Sequence, residues 1–584
     1  MLPLTIDTFR QAYRSGTATI RSVVQEIRDK ITADDDPAIF IHLLDEADLE
    51  PYLKSLEDQS PESLPLYGIP FVIKDNIDLA GVPTTAACPD YAYTPKKSSF
   101  VVDRLIKAGA IPLGKTNLDQ FATGLVGVRS PYGIPKNPVN PGYLPGGSSS
   151  GSAVAVAHGY AVFSLGTDTA GSGRVPAAFN ELIGLKPSRG LLSNTGVVPA
   201  CRSLDCISIF TNHVEDARQI LEIATAPDLK DSYSREWKGD FARTKRNRIK
   251  IGVPKQEDLE FFGNKAHRDR FQAYIAEMES REDVELKTIS FAPFVEAANL
   301  LYHGPWIAER DAAVGDFIKK NPESAHPITR KIIESATGLT ATDAFRAFYR
   351  LQELKKKADA ILQGLDCILT PTTGTHYTVE AALEDPVETN TRLGYYTNFM
   401  NLLDYSAIAI PAGRTAQGLA FGVTLFSQAF QDRILLDIAS RLRGEVCSSI
   451  KTDEKKELME IAVCGAHMKG LPLNHQLLEL SATFSRSVST APSYRFYCLE
   501  YKTPIRPGLV RSVGGSSIDM EIWNLPKRNV GAFLSMIQEP LGLGSIETID
   551  GKWVYGFLCE AHAVENSPDI TSFGDWRSYL ESRS

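Results

Sequence analysis

The chain has 584 residues, of which 43% are hydrophobic and 23% charged, and its formal net charge is −9. This length predicts two or more domains, because it exceeds what a single hydrophobic core normally holds. The composition is that of a globular protein, and the acidic balance argues against nucleic acid as the main partner.

The sequence shows no sign of a targeting or membrane segment. The first residues lack a basic stretch followed by an apolar one, and no run of about 18 apolar residues occurs. The eight cysteines are scattered, and none forms a C-x-x-C pair. We therefore expect reduced thiols in a cytoplasmic protein, with no disulfide framework, no metal site and no membrane contact.

Residues 1–60 alternate helical patterns with polar turns. Thr5 or Asp7 is positioned to cap a first helix, FRQAYRSG, and Thr17 or Ser22 a second, SVVQEIRDKI. These segments predict two helices ahead of the first strand.

Strand and helix patterns alternate through residues 66–210, which predicts an α/β fold around a central sheet. Early in this region the apolar run Ile69 to Ile73 indicates a buried strand that ends at Lys74. Two interpretations of this lysine are open. It is either a structural ion-pair partner of Asp75 or Asp78, or a base whose pKa, about 10.4 in a free lysine, is lowered by burial.

The stretch GGSSSGSAVAVAHGYAVFSLGTDTAGS, residues 146–172, is the most informative part of the chain. Two serine clusters held by glycine enclose a small apolar helix and a short strand. A surface linker is the alternative, but linkers do not enclose such elements. The pattern therefore suggests a nucleophile and its helper. No G-x-S-x-G turn occurs, and His158, the only histidine in the stretch, lies on the apolar run, so a Ser-His-Asp triad lacks local support.

These motifs together resemble the amidase signature family: a strand ending in Lys-Asp-Asn, then GGSSSGS, then TDTAGSGR. The resemblance implies a central mixed sheet flanked by helices. It implies that Lys74 is the base, that Ser148, in a cis peptide, relays the proton, and that Ser172 attacks the amide carbonyl. No cofactor and no metal are implied.

Further site residues follow from the same resemblance. The implied oxyanion-hole donors are the main-chain N–H groups of Thr169, Ala170, Gly171 and Ser172. Ala170 stands where the family often has glycine, which leaves its N–H available. Ser149 is a supporting hydrogen-bond partner, and Gly124 is placed in a loop that lines the substrate pocket. Arg174 is predicted to be a buried structural ion-pair partner.

A helical region at residues 296–350 contains Tyr302 and Arg310, just over two helical turns apart. An arginine suits a small carboxylate, although pairing with Glu309 or Asp311 at the surface is the alternative. The segment LLYHGPWIAER resembles the corresponding segment in the allophanate hydrolase branch of the family. That resemblance implies that the tyrosine and the arginine bind the substrate carboxylate.

The predicted domains are an amidase signature domain at 1–445, with helices at 1–60 and a catalytic core at 66–445, and a smaller domain at 458–584. Between them the polar residues 446–457 are predicted to be a linker. The second domain, where short strands alternate with turns, is predicted to be α+β. It resembles the C-terminal domain of allophanate hydrolases, which is similar in fold to gamma-glutamylcyclotransferase-like proteins.

The resemblance implies a histidine in this second domain that assists a decarboxylation. His475 in LPLNHQL is preferred to His467, and an ordinary packed histidine remains the alternative for each.

The implied function is hydrolysis of allophanate to ammonia and N-carboxycarbamate, which is then decarboxylated. The resemblance also implies a homodimer, and functional coupling or fusion to a biotin-dependent urea carboxylase. The alternatives are another amidase, acting on malonamate, a fatty-acid amide or glutamine within an amidotransferase, and a scaffold without activity.

Overall fold

The structure, a computed structural model, describes residues 4–237, 248–445, 458–500 and 504–583. The chain divides into two compact units, Met1–Cys447 and Ser448–Ser584. The segment predicted to be a linker, 446–457, lies outside the described residues.

The first unit is built on an eleven-stranded mixed sheet. Its strands are β1 (Phe40–Leu43), β2 (Pro70–Lys74), β3 (Ile111–Thr116), β4 (Phe163–Asp168), β5 (Ile183–Lys186), β6 (Cys206–Thr211), β7 (Ile249–Pro254), β8 (Val284–Ile289), β9 (Cys367–Pro371), β10 (Tyr405–Arg414) and β11 (Ala420–Gln428). Their order across the sheet is β1-β3-β2-β4-β6-β5-β10-β11-β9-β7-β8. The expectation of a mixed sheet is thereby confirmed.

Helices flank this sheet, as the sequence predicted. They are α1 (Ile6–Ser15), α2 (Ile20–Ala33), α3 (Glu46–Glu57), α4 (Phe100–Lys107), α5 (Ser150–Ala157), α6 (Val175–Phe179), α7 (Val214–Ala224), α8 (Lys265–Glu279), α9 (Ala292–His303), α10 (Trp306–Arg310), α11 (Asp316–Lys320), α12 (Pro327–Glu334), α13 (Ala341–Leu362), α14 (Val379–Glu384), α15 (Glu388–Leu393), α16 (Phe399–Leu402) and α17 (Asp432–Arg443). The helices α9 to α13 all lie between β8 and β9 in the chain.

The first two helices begin where capping side chains are available. Thr5 caps α1 by accepting from the N–H of Thr8, as predicted. The cap of α2 is Thr19, not Thr17 or Ser22, so that prediction was wrong. Thr19 accepts from the N–H of Ser22 while the Ser22 hydroxyl accepts from the N–H of Thr19, and this reciprocal pair fixes the start of the helix.

The part of the sheet that carries the site is parallel and fully covered. β2 pairs in parallel with both β3 and β4, and every residue of β2 is buried. Phe71 and Phe163 stack on adjacent strands with ring centroids 4.9 Å apart. A run of apolar residues without polar alternation is what a strand buried on both faces requires. β2 and β4 therefore bring the segments that follow them to one edge of the sheet.

The second unit is a small α+β fold, which confirms the predicted class. Its strands are β12 (Leu458–Val463), β13 (Thr483–Ser489), β14 (Tyr494–Leu499), β15 (Arg506–Arg511), β16 (Asp519–Pro526), β17 (Leu541–Glu547) and β18 (Trp553–Cys559). Five of them form one sheet in the order β13-β16-β12-β18-β17, and β14 pairs with β15. Its helices are α18 (Asn474–Glu479), α19 (Val530–Ser535) and α20 (Trp576–Glu581).

No helix in the described parts of either unit combines the length and the apolar character needed to cross a membrane.

Candidate active site

Lys74 lies at the end of β2 with its side chain completely buried. Its Nζ donates to the Ser148 hydroxyl at 2.8 Å and to the Thr167 hydroxyl at 2.7 Å. Burial lowers the pKa of Lys74 to about 7, although the negative charges of Asp119, Asp205 and Asp168 oppose this shift. A large fraction of this amine is therefore uncharged near neutral pH.

Asp75 and Asp78, which follow Lys74 in the sequence, interact with other residues. Asp75 forms a fully buried ion pair with Lys115 of the adjacent strand, with Nζ and Oδ1 3.1 Å apart. Asp78 accepts from the hydroxyls of Thr84 and Tyr93. Lys74 makes no ion pair with any described residue, so of its two interpretations the structural ion pair is wrong.

Ser148 is fixed through its main chain by Asp119. The peptide bond between Gly147 and Ser148 is cis, and the Ser148 carbonyl accepts from the N–H of Asp119 at 3.0 Å. The Asp119 carboxylate accepts from the N–H groups of Gly127 and Arg129. A Cβ at Gly147 would lie 2.1 Å from this carboxylate, so only glycine permits the approach.

Ser149 joins the same turn to β4. Its hydroxyl donates to the carbonyl of Thr167 and accepts from the N–H of Thr167, at 3.2 and 3.3 Å. Both partners are main-chain groups of one strand residue. Ser149 thus holds the turn in place beside Thr167, which itself contacts the lysine.

The loop from Thr169 to Ser172 connects β4 to α6 and is buried. In the described structure, none of its four main-chain N–H groups donates a hydrogen bond to a protein acceptor. The Thr169 hydroxyl donates to Asp205, a carboxyl whose pKa burial raises to about 6. Unengaged N–H groups on a fixed loop are what an oxyanion hole requires.

An ion pair stabilises the far end of this loop. Arg174 contacts both oxygens of Asp168, at 2.8 and 2.9 Å, and both side chains are fully buried. Burial raises the pKa of Asp168, but the charge and hydrogen bonds of Arg174, the charge of Lys186 and the N–H of Gly173 together hold the pKa below its usual range. The prediction of a structural role for Arg174 is confirmed.

Ser172 contacts the loop that contains Gly124. Its hydroxyl donates to the Gly124 carbonyl at 3.3 Å, and it is 3% exposed. No hydrogen bond joins the hydroxyls of Ser148 and Ser172, although both residues are among those described. Lys74 and Ser148 are thus in direct contact, whereas Ser172 is hydrogen-bonded to the Gly124 carbonyl.

Arg310, the last residue of α10, is only 3% exposed. Its Nη1 donates to the Thr123 hydroxyl at 2.9 Å, directly before Gly124. Of the two carboxylates expected as surface partners, Glu309 accepts from Ser203, and Asp311 pairs with Lys319. Burial is the main cause that lowers the pKa of Lys74, and the guanidinium charge of Arg310 adds to this lowering.

Tyr302 lies in α9, but its side chain is outside the described structure. Its predicted contact with a substrate carboxylate therefore stays a prediction.

The two histidines of the second unit are in different environments. His467 lines a cavity, and its Nε2 lies 2.8 Å from the Oε1 of Gln476. His475 is exposed on α18, and its Nδ1 donates to the carbonyl of Pro472. From the sequence we predicted that His475, rather than His467, assists a decarboxylation. Of these two candidates, only His467 lines the cavity.

Sequence reasoning missed Asp119, Thr123, Thr167 and Asp205. None of them belongs to a spacing pattern that indicates a role. Asp119, Thr123 and Asp205 lie outside residues 146–172, and Thr167, which lies within that stretch on β4, contacts Lys74 of the neighbouring strand. Across the described parts of both units, no group of three or more His, Cys, Asp or Glu side chains is arranged to hold a metal ion.

Comparison with known proteins identifies the family. A model of the amidase family matches residues 23–436. The chain therefore belongs to the amidase family. A second model, that of the allophanate hydrolase C-terminal domain, matches residues 459–581.

Individual relatives agree with this assignment. The urea amidolyase of Lachancea kluyveri is 42% identical over 95% of this chain and 32% of its own length. The structure of Kluyveromyces lactis allophanate hydrolase is 38% identical, with a TM-score of 0.73 and all of both chains covered. A glutamyl-tRNA(Gln) amidotransferase chain from Methanosarcina acetivorans is 31% identical over 71% of this chain and 95% of its own length. The chain spans about a third of the length of the curated urea amidolyases it matches.

Proposed function

We propose that this chain hydrolyses allophanate, which is urea carrying a carboxylate on one nitrogen, to ammonia and N-carboxycarbamate. The observation that carries the proposal is the buried contact of 2.8 Å between Lys74 Nζ and Ser148 Oγ, beside a buried arginine. The similarity to allophanate hydrolase and urea amidolyase supports this substrate.

The proposed chemistry begins with a proton relay. Uncharged Lys74 takes the proton of Ser148, and Ser148 takes that of Ser172. For this step the Ser172 hydroxyl exchanges its bond to the Gly124 carbonyl for one to Ser148. Ser172 then attacks the terminal amide carbonyl, the C–N bond breaks, and the relay returns the proton to the leaving ammonia. Water hydrolyses the acyl-enzyme by the same path.

The negative oxygen formed by this attack needs hydrogen-bond donors that are already in place. In the proposed mechanism, the unengaged main-chain N–H groups of Thr169, Ala170, Gly171 and Ser172 supply them. The Asp168–Arg174 pair and the Thr169–Asp205 bond stabilise the loop, so that little reorganisation is needed during the reaction.

Replacing Gly171 by alanine is expected to lower kcat by about 10²-fold, the scale of losing one oxyanion donor. Gly171 has a φ of +146°, and a Cβ there would lie 2.4 Å from the Thr397 hydroxyl oxygen, so the loop must shift. Steady-state kinetics on allophanate measure the effect. Gly418→Ala is the matched control, since Gly418 has a φ of +79° and open space around it. Equal losses in both variants would contradict the assignment of this loop.

The substrate carboxylate is proposed to bind Arg310, with Tyr302 beside it. The guanidinium is buried, so its attraction for an anion is weakly screened. A buried cation close to the neutral lysine also disfavours protonation of that lysine. Arg310 would therefore both bind the substrate and help to keep the base uncharged.

Arg310→Ala is expected to raise KM for allophanate by about 10²-fold, the scale of a lost charged hydrogen bond. Ammonia release from allophanate, malonamate and a simple aliphatic amide, measured in parallel, tests both the residue and the substrate. Wild type should prefer the two amides that carry a carboxylate, and the variant should lose that preference.

Arg350→Ala is a suitable control, because Arg350 is an exposed arginine that pairs with Glu353. A wild-type enzyme that favoured the aliphatic amide would refute allophanate as the substrate. A KM unchanged in Arg310→Ala would remove this residue from the carboxylate site.

For the second unit we propose a role in the next step. N-carboxycarbamate, which carries two carboxylates on one nitrogen, takes up one proton and loses CO2 to give carbamate. Carbamate with a second proton then gives ammonia and CO2. His467 is the histidine we propose to assist, because it lines a cavity whereas His475 is exposed.

We further propose that the enzyme acts as a homodimer in the cytoplasm, coupled to a biotin-dependent urea carboxylase that forms allophanate from urea. The similarity of the chain to about a third of the urea amidolyases supports the coupling, since those proteins contain further sequence beyond this segment.

A further inference from the structure

A cavity of about 450 Å³ lies at the start of α8 in the first unit, and the proposed hydrolysis assigns it no role. Its lining comes from residues 262–266, from Tyr143, from His376 in the segment after β9, and from the turn between β10 and β11. Among these described residues Lys265 is the only lysine or arginine, and none is acidic. The cavity therefore favours a ligand with negative charge.

The start of α8 provides unengaged donors beside this cavity. The main-chain N–H groups of Lys265 and Ala266, the first two residues of this 15-residue helix, donate to no acceptor that the structure describes. The cap residue Asn264 accepts instead from the N–H of His267. The first turn contains no acidic side chain. Free N–H groups at the start of a long helix, together with the helix dipole, attract an anion.

His376 gives independent evidence for a ligand. Its ring lines the cavity, is 5% exposed, and has its Nε2 2.8 Å from the Leu144 carbonyl oxygen, so Nε2 carries the proton and Nδ1 keeps a lone pair. Burial lowers the pKa of His376 to about 3, which keeps the ring neutral. In the described structure the buried Nδ1 has no hydrogen-bond partner. Such an acceptor costs free energy unless a ligand or water supplies a hydrogen.

His376 and the start of α8 are held close together by a direct contact between the residues that precede them. The Nδ2 of Asn264 donates to the Oγ1 of Thr375 at 3.1 Å. Lys265 follows the first of these residues, and His376 follows the second. One small ligand in the cavity can therefore contact the donors of α8 and the ring of His376 at the same time.

We propose that this cavity binds a small oxyanion that retains one hydrogen, such as hydrogencarbonate or hydrogen phosphate. The charged oxygens of the ligand accept from the N–H groups of Lys265 and Ala266 and from the Lys265 ammonium. The hydroxyl of the ligand donates to the Nδ1 of His376. Sulfate, which carries no hydrogen at neutral pH, would place an oxygen lone pair against that nitrogen and should bind less well.

The contacts of His376 link this site to both serine segments. Leu144, whose carbonyl accepts from the ring, lies shortly before Ser148 in the chain. The ring also stacks on Phe179, the last residue of the helix that follows Ser172, with ring centroids 3.6 Å apart. A hydrogen bond accepted at Nδ1 strengthens the one that Nε2 donates. The bound anion should therefore stabilise the segment that leads to Ser148. Any effect on hydrolysis rests on the proposed function, whereas binding does not.

Equilibrium dialysis of radiolabelled phosphate against the full chain tests the site. Lys265→Met removes the ammonium and should weaken phosphate binding by about tenfold. Lys265→Pro also removes the main-chain N–H and should weaken it by about a hundredfold, the scale of lost charged hydrogen bonds. Proline is tolerated at this position, because Lys265 is the first helical residue and Asn264 before it is extended, with φ −78° and ψ 91°. Unlabelled sulfate should displace the phosphate about tenfold less well than unlabelled phosphate does.

Ala341→Pro is the matched control, since it places proline at the first position of α13, after the extended cap residue Thr340. It should bind phosphate as wild type does. The proposal would be overturned by absence of binding to wild type, by wild-type binding in Lys265→Pro, by an equal loss in Ala341→Pro, or by equal displacement with sulfate and phosphate.

Arg310→Ala separates this inference from the proposed function, because the phosphate site at α8 should persist in that variant. If Arg310→Ala removes phosphate binding and Lys265→Pro keeps it, the site at α8 is refuted while the anion site at Arg310 stands. If Lys265→Pro removes binding and Arg310→Ala changes neither phosphate binding nor KM for allophanate, the inference stands and the carboxylate role of Arg310 fails. Competition by unlabelled hydrogencarbonate distinguishes the two ligands, since the preferred anion displaces the label at the lower concentration.

Discussion

Replacing Ser172 by alanine is expected to lower kcat for allophanate by at least about 10⁴-fold, as removal of a hydrolytic nucleophile does. The proposed reaction forms its covalent bond through this hydroxyl, and a residual rate would come only from the oxyanion donors and substrate binding. Ammonia release under saturating allophanate measures the loss. The fold should persist, because the hydroxyl makes a single hydrogen bond, to Gly124.

Ser208→Ala provides the matched control for that experiment. Ser208 is a buried serine on β6, the strand next to β4, and its hydroxyl has no hydrogen-bond partner in the described structure. Its removal should leave kcat close to that of wild type. Turnover by Ser172→Ala at the wild-type rate would refute the nucleophile, and an equal loss in Ser208→Ala would indicate a packing effect.

Replacing Lys74 by methionine is expected to lower kcat by about 10²- to 10⁴-fold, the usual contribution of a general base. The same change should alter the pH profile. The uncharged amine is the active form, so wild-type activity rises with pH through about 7, the pKa of Lys74, and levels off above it. Below that pH the rate should fall about tenfold per unit. In Lys74→Met this rise should disappear.

Lys74→Arg distinguishes a base from a fixed positive charge, because arginine keeps its proton throughout this range. It should be as inactive as Lys74→Met. Lys107→Met, which changes an exposed lysine paired with Asp103, should keep both the rate and the profile. Substantial activity in Lys74→Arg would contradict the role of the lysine as a base.

The position of Lys74 could be predicted from local sequence, because a short apolar run ending in a lysine indicates a buried strand end. Its chemistry could not be derived from that run alone. The choice between base and ion pair depends on where the Asp75 carboxylate lies, and its partner Lys115 is on a different strand. Strand pairing of this kind is a long-range property that neighbouring residues do not encode.

The same distinction between local sequence information and long-range contacts applies to the other residues of the candidate site. The two serine loops could be predicted as parts of the candidate site, and Arg174 as a structural residue, because glycine, serine and charge are spaced locally. The role of Asp119 in holding the Ser148 carbonyl could not, since a buried aspartate has no signature of its own. His475 was preferred to His467 on its position between turn and helix, but burial decides which histidine can line a cavity, and burial depends on the tertiary fold.

In the first unit, the strand order separates the residues of the proposed reaction from the residue that is proposed to bind the substrate carboxylate. β1 to β6 are contiguous in the sheet, and they position the lysine and both serines, whereas Arg310 comes from helices inserted between β8 and β9. In the proposed mechanism, changes in that insertion would alter which amide is bound, while Lys74, Ser148 and Ser172 keep their positions. The strands that would carry out the hydrolysis and the inserted helices that would select the substrate are thus separate parts of the fold.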